Sequence, residues 1–309
     1  MIASVFSKTR PFNYVIIGIS LLLCYVLYSF SNQTITFSAK GMTLLFVEIV
    51  LLLISCALVN FISLKNTLTK NDNYAVLLFL IFLLFFPSVF KNKEILFSNF
   101  FLLLALRRLI SLKSMIAPKE KLFDASFWIL IAALFHFWSI VYIVLVFVSV
   151  ILHGSRDFKN WLIPFVAAFA VAVLFLGANL LTDNFLWNHL SSQSFISFEF
   201  SYFETIYQNI ALAVFASIAF LFFANQLLTI GSKPLNMQSS FKKVLFSFLL
   251  GVLIYVLSAE KNNSCLAFSF APLAIMGANF VESLETKLLK EITLITLVVF
   301  ALVFFVSSL

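Results

Sequence analysis

The sequence predicts an all-α protein, a polytopic transmembrane helical bundle of about eleven helices, with the N-terminus inside and the C-terminus outside. Three observations predict it. Of 309 residues, 62% are hydrophobic and 11% charged, at a mean hydropathy of +1.09. Soluble domains carry roughly 25% charged and 45–50% apolar residues. The apolar residues also gather into runs of membrane-crossing length, and the lysines and arginines crowd into alternate connections between those runs. A water-soluble fold of this composition lacks the polar surface to cover itself, so lipid is the solvent for much of the chain.

Taken in order, the first run is 12–30. It is too long for the apolar stretch of a signal peptide and no A-x-A site follows, so it is expected to stay as an anchor. The second run, 41–64, carries Glu48. The third and fourth are 74–90 and 95–110; Arg107 and Arg108 lie at the end of the fourth and must snorkel to the inner interface. The stretch 123–153 is nearly unbroken. As one helix it would be about 46 Å long, too long for a hydrocarbon core of roughly 30 Å. It therefore reads as two short helices, 122–136 and 138–153, with a tight turn near His136–Ser139. The remaining runs are 161–181, 208–230, 241–258, 263–282 and 290–308. Pro87, Pro164 and Pro272 lie inside runs and are expected to kink them. Barrel strands are excluded because the runs are continuous, and in hydrocarbon a helix satisfies its own backbone groups. No repeat, linker or soluble domain interrupts the pattern, so 1–309 reads as a single integral membrane domain.

The charges fix the orientation. With the N-terminus inside, sixteen of the twenty lysines and arginines fall on the inner connections, from Lys8 and Arg10 through the basic stretch 107–121 to Lys287 and Lys290. The outer four are Lys40, Lys91, Lys93 and Lys261. This is the bias of the positive-inside rule. Reading 123–153 as one crossing leaves ten on each side and abolishes it. The net charge of +7 thus speaks of membrane orientation and not of nucleic acid. A bacterial inner, cytoplasmic membrane is the expected location. The 41 phenylalanines mark apolar surface rather than an activity. Cys24, Cys56 and Cys265 lie in or at the ends of apolar runs and read as small buried residues. Neither a metal site nor a cofactor motif is found.

Several residues are candidates for chemistry. Glu48 sits among leucines in the second run. A mid-membrane charge costs roughly 2.5–3.5 kcal/mol on insertion scales, so Glu48 faces the bundle, is paired, or is protonated. It reads either as a proton or ligand site or as a hydrogen-bonded glutamate near the outer leaflet. Arg107 and Arg108, with Lys113, Lys119 and Lys121 nearby, suit a lipid-phosphate or pyrophosphate headgroup, because guanidinium grips phosphate with a forked geometry. Topology alone also demands basic residues there. The largest outer loop, 182–207, carries Asp183, His189, Glu199 and Glu204, with His136 at the same face. Carboxylates with histidine support acid–base chemistry; the alternative is an ordinary interfacial loop with some ordered structure.

The stretch from Phe97 to Ile151, a basic inner loop followed by two short apolar helices, resembles the middle of the GT-C class glycosyltransferases and of surface-polysaccharide polymerases. The whole chain, with its end LAFSFAPLAIMGANFVESLETK, resembles a family of uncharacterised Phe-rich bacterial inner-membrane proteins. The GT-C resemblance implies a catalytic acid in a long first outer loop. Here that loop, SNQTITFSAK, holds no acid, so the residue does not carry over. Three readings follow. The first is a non-enzymatic scaffold or accessory subunit of an envelope assembly, with membrane lipids and other membrane proteins as partners. The second is a transferase or polymerase using a polyprenyl-phosphate-linked sugar. The third is a lipid or small-molecule transporter, which needs a polar mid-membrane cavity around Glu48.

Overall fold

The computed structural model describes residues 2–32, 38–153, 157–196, 206–258 and 262–309. Among them every regular element is a helix: α1 (Ile2–Phe6), α2 (Pro11–Ser31), α3 (Ala39–Lys65), α4 (Tyr74–Phe85), α5 (Lys93–Ser111), α6 (Pro118–Phe135), α7 (Ile143–Leu152), α8 (Lys159–Leu181), α9 (Phe185–Gln193), α10 (Ile206–Thr229), α11 (Leu235–Leu257), α12 (Ala267–Ser283) and α13 (Lys287–Ser307). Short 3₁₀ turns join several of them.

Eight helices are long and apolar enough to cross a membrane: Pro11–Ser31, Gly41–Lys65, Lys93–Ser114, Lys159–Leu181, Ile206–Ser232, Leu235–Leu257, Asn263–Ser283 and Lys287–Ser307. The other three apolar runs are also helical but differ in form. α6 carries Lys119, Glu120, Lys121 and Asp124 in its first two turns. The run 74–90 holds a helix of 12 residues, about 18 Å long. Pro87 does not kink this helix. α4 has already ended at Phe85, and Pro87 opens a 3₁₀ turn, Pro87–Lys91. Proline fixes φ and lacks an N–H, which suits it to the first turn of a helical element. In the long apolar stretch the helix breaks at His136, whose backbone is extended at φ −138°. A 3₁₀ turn, Phe137–Tyr142, then leads into α7. Pro164 and Pro272 do lie inside helices, α8 and α12.

The core is centred on α4 and α12. Every side chain of α4 is buried, as are nearly all residues of α12, whereas α8 buries few of its residues and turns most of its surface outward. Phenylalanine fills the centre. Phe82 and Phe86 stand edge-on to Phe215 at 5.5 and 5.2 Å between ring centroids, and Phe86 stacks on Phe270 at 6.0 Å. Such edge and offset contacts add to simple burial. Gly251 lets α11 approach the backbone of Phe268 and Ser269, where an added Cβ would meet carbonyl and amide atoms at 2.8–2.9 Å.

Helix ends meet in two opposite groups. In one, Thr9 N–H bonds Asn71 O at 3.2 Å, Lys70 N–H bonds Glu282 at 2.8 Å, and Lys243 Nζ reaches Leu109 O at 2.6 Å. In the other, Asn92 donates to Ser264 at 3.1 Å, His136 lies 3.0 Å from Ser258 Oγ, and Ser31 donates to Leu309 O.

Candidate functional site

The end of α3, the end of α5 and the start of α6 enclose a pocket of about 530 Å³. Its lining includes five cationic side chains, Lys65, Arg107, Arg108, Lys113 and Lys121. Helix geometry explains the gathering: Arg107 and Arg108 end one apolar helix, Lys121 begins the next, and the chain reverses between them. The reversal needs left-handed backbone at Met115 (φ 53°) and Ala117 (φ 45°), while Thr67 (φ 54°) shapes the facing turn after α3. Left-handed residues other than glycine cost energy and concentrate where function holds them. Three of the five in the described chain lie here.

The cations are individually positioned. Arg107 Cζ lies 4.5 Å from the centre of the Phe61 ring, and Lys65 Nζ lies 4.8 Å from the same ring. Such cation–π contacts hold a charge over an apolar floor without neutralising it. Arg108 pairs with Asp124 at 2.9 Å. Lys121 Nζ donates to Ser111 O and Ser114 Oγ at 2.8 and 2.7 Å, and Lys113 Nζ to Thr67 Oγ1 at 3.2 Å. Partial burial, then the positive charges of Arg108 and Lys65, push the Lys121 amine below its ordinary value. Like charges at this spacing repel, and an anion placed among them relieves the repulsion. Lys119 has turned away to Asp157, at 2.9 Å.

Glu48 is buried and engaged. The Tyr25 hydroxyl donates to its Oε2, and Lys93 Nζ lies 3.2 Å from its Oε1. Tyr25 is in turn packed edge-on against Phe90, 5.5 Å between centroids. Of the arrangements open to Glu48, the fold adopts the paired one, and the cation comes from the first residue of α5.

The chain matches, over residues 1–309, a family of unknown function, DUF6427. It belongs to that family. No curated protein and no solved structure matches it. For this DUF6427 chain the assignment of a site therefore rests on geometry.

The loop candidates separate. His189 joins a small polar cluster: its Nε2 lies 3.5 Å from Glu94 Oε1 and 3.2 Å from Gln193 Nε2. Gln193 donates to Glu94 Oε2 at 2.7 Å and accepts from Phe137 N–H at 3.1 Å. These bonds dock α9 on the start of α5 and on the turn after α6. Asp183 is exposed in a left-handed turn with Asn184, at φ 48° and 64°, outside that cluster. Glu199 and Glu204 lie outside the described residues. Among the described residues no group of three His, Cys, Asp or Glu side chains is placed to hold a metal.

Two features escaped the sequence reading. Glu94 supplies the carboxylate to which His189 turns; it lay at the start of a run and gave no spacing signal. Asp72, in the loop after α3, is 4% exposed. Burial and the adjacent Glu282 carboxylate raise its carboxyl well above the usual carboxylate range. They are 210 residues apart in sequence, so no local pattern links them.

Proposed function

We propose that this protein is a multi-pass protein of the bacterial inner membrane that acts as a non-enzymatic scaffold or accessory subunit of an envelope assembly, and that it anchors a phosphate-bearing lipid headgroup in the basic pocket. One observation carries the proposal: five cationic side chains line a single pocket of about 530 Å³, and the paired carboxylate there is Asp124. Arginine offers a planar fork and lysine a point charge, a combination suited to a phosphate monoester or diester.

The headgroup reading requires the pocket to face the cytoplasmic leaflet. Eleven crossings with the N-terminus inside put it there. Support comes from the charge distribution and from the two groups of helix ends, between which α2, α5, α11 and α12 run. A 12-residue α4 is compatible with this, because it is enclosed by protein and meets no lipid along its length.

Other contacts favour a scaffold over a carrier or a transferase. A proton-coupled carrier needs a mid-membrane acid that is free to exchange, whereas Glu48 is held by Tyr25 and Lys93. Phenylalanines close the centre of the bundle. A transferase needs outer-loop acids that converge, and among the described residues Asp183 stands outside the Glu94–His189 cluster.

Native mass spectrometry of protein extracted gently from its own membrane tests the proposal, with a variant carrying Arg107→Gln, Lys113→Gln and Lys65→Gln. The expected result is an anionic phospholipid retained by the wild type and lost from the variant. Equal retention by both would remove the headgroup role. A bound lipid-linked saccharide would bring the transferase reading forward.

A further inference from the structure

At the opposite end of the bundle from the basic pocket, five chain segments converge on a second cavity of about 220 Å³. Its walls come from the ends of α2, α4 and α13, the start of α10, and the 3₁₀ turn before α12. Tyr28, Phe86 and Phe304 give it aromatic faces, while Ser88, Gln208 and Asn263 give it amides and hydroxyls. None of its described lining residues is Asp, Glu, Lys, Arg or His, in contrast to the basic pocket.

Asn263 decides what the cavity asks for. The residue is 7% exposed, and its Oδ1 is buried without a hydrogen-bond partner. The Ser88 hydroxyl, also at the cavity, is buried in the same state. Buried acceptors and hydroxyls are nearly always satisfied in folded proteins, so an unmatched pair in one cavity is unusual. A small rotation of either side chain brings its polar atom to the cavity face, where a ligand hydroxyl meets its need, donating to Asn263 Oδ1 or exchanging a hydrogen bond with Ser88. Aromatic faces cover the apolar C–H face of a ring, and a few placed polar groups fix its orientation, the general composition of a small-molecule site. The volume corresponds to about seven waters at roughly 30 Å³ each, which suits one ring. With no charged side chain among its described lining residues, the cavity disfavours an ionic ligand, which could enter only with an unpaired buried charge.

We propose that this cavity is a binding site for a single neutral, hydroxyl-rich ring, a monosaccharide unit either free or as the headgroup of a glycolipid. The site is independent of the basic pocket and of the headgroup reading made for it.

The test uses the full chain in nanodiscs of zwitterionic lipid. Saturation-transfer NMR is run with methyl α-D-glucopyranoside, methyl α-D-mannopyranoside and methyl α-D-galactopyranoside, and with glucuronate as the charged control. Native mass spectrometry is run with monoglucosyldiacylglycerol. At least one neutral probe is expected to bind, with glucuronate bound at least tenfold more weakly. Binding of a free glycoside assigns a soluble source; binding of the glycolipid alone assigns a lipid one. Asn263→Leu and Ser88→Ala are each expected to weaken the bound probe at least tenfold. Ser88→Ala keeps the test decisive should Asn263→Leu fail to fold. The proposal is overturned if no neutral probe binds, if glucuronate binds as well as the neutral glycosides, or if a folded variant binds like the wild type.

Discussion

Lys93, the first residue of α5, places its ammonium 3.2 Å from the buried carboxylate of Glu48 in α3. The Tyr25 hydroxyl of α2 closes on the other carboxylate oxygen, so three helices meet on one acid. The lysine side chain is 51% exposed and the glutamate 6%. The pair therefore straddles a boundary, with the acid inside and its cation at the rim.

Glu48→Gln is expected to lower stability by about 1 kcal/mol, the scale of one charge-assisted hydrogen bond replaced by a neutral one. Lys93→Met leaves a buried carboxylate with Tyr25 as its remaining partner and is expected to cost about 1–3 kcal/mol. The double variant should cost less than the sum, because with Gln at 48 the lysine has no charge to meet. Unfolding curves of the four proteins in detergent form the cycle; strict additivity would show that the contact contributes nothing.

Gly251→Ala is expected to destabilise by about 1–3 kcal/mol through overpacking. The new Cβ would meet the backbone of Phe268 and Ser269, which cannot swing aside. Gly277→Ala should be milder, because there the obstructing atoms belong to the side chains of Phe222 and Leu78. Melting temperatures of the two variants check the order, and a reversal would mean that α11 and α12 separate more easily than their packing indicates.

Single cysteines at Ser192 and Ser114, in a background lacking Cys24, Cys56 and Cys265, report the topology. Both positions are exposed. An impermeant maleimide added to intact spheroplasts is expected to label Ser192→Cys and to spare Ser114→Cys until the membrane is opened. Labelling of position 192 from the cytoplasm alone would discard the crossing pair α6 and α7.

Stability should fall as pH rises above the ordinary carboxylate value of 3.8, because burial and Glu282 hold the Asp72 carboxyl above it in the fold. Across that window the folded state keeps a proton that the unfolded chain releases, so unfolding becomes easier with increasing pH. The groups around Asp72 are Glu282, Lys290 and Tyr74. Asp72→Asn is expected to flatten the dependence and to raise stability at pH 8. Thermal unfolding from pH 5 to pH 9 measures it; parallel curves for variant and wild type would exclude Asp72 as the source.

Much of the fold was legible in the sequence because hydrophobicity is a local property. Eight of the eleven apolar runs fall in helices long and apolar enough to cross a membrane, the other three are helical in shorter or more charged form, and His136 marks a break in the long stretch. Pro87 was read as a kink and is instead the start of a new element, since the sequence did not reveal that α4 stops before it. The amides show the same limit. Asn60 does bond across helices, to Tyr14 at 2.8 Å. Asn279 instead donates to Ile275 O in its own helix at 3.0 Å, and only its side-chain environment decides between these outcomes.

By itself, then, the sequence determined the solvent of this protein, its helical class and the crowding of cations at one set of helix ends, because composition and spacing act through each residue singly. The tertiary structure alone decided the partners: Lys93 for Glu48, Glu94 for His189, Asp124 for Arg108, and Glu282 beside Asp72. It also decided that Asn263 and Ser88 share one cavity with no charge among its described lining residues. Such pairings depend on how helices distant in sequence are set side by side, and that arrangement follows from the summed packing of phenylalanine rings and glycine contacts across the whole bundle.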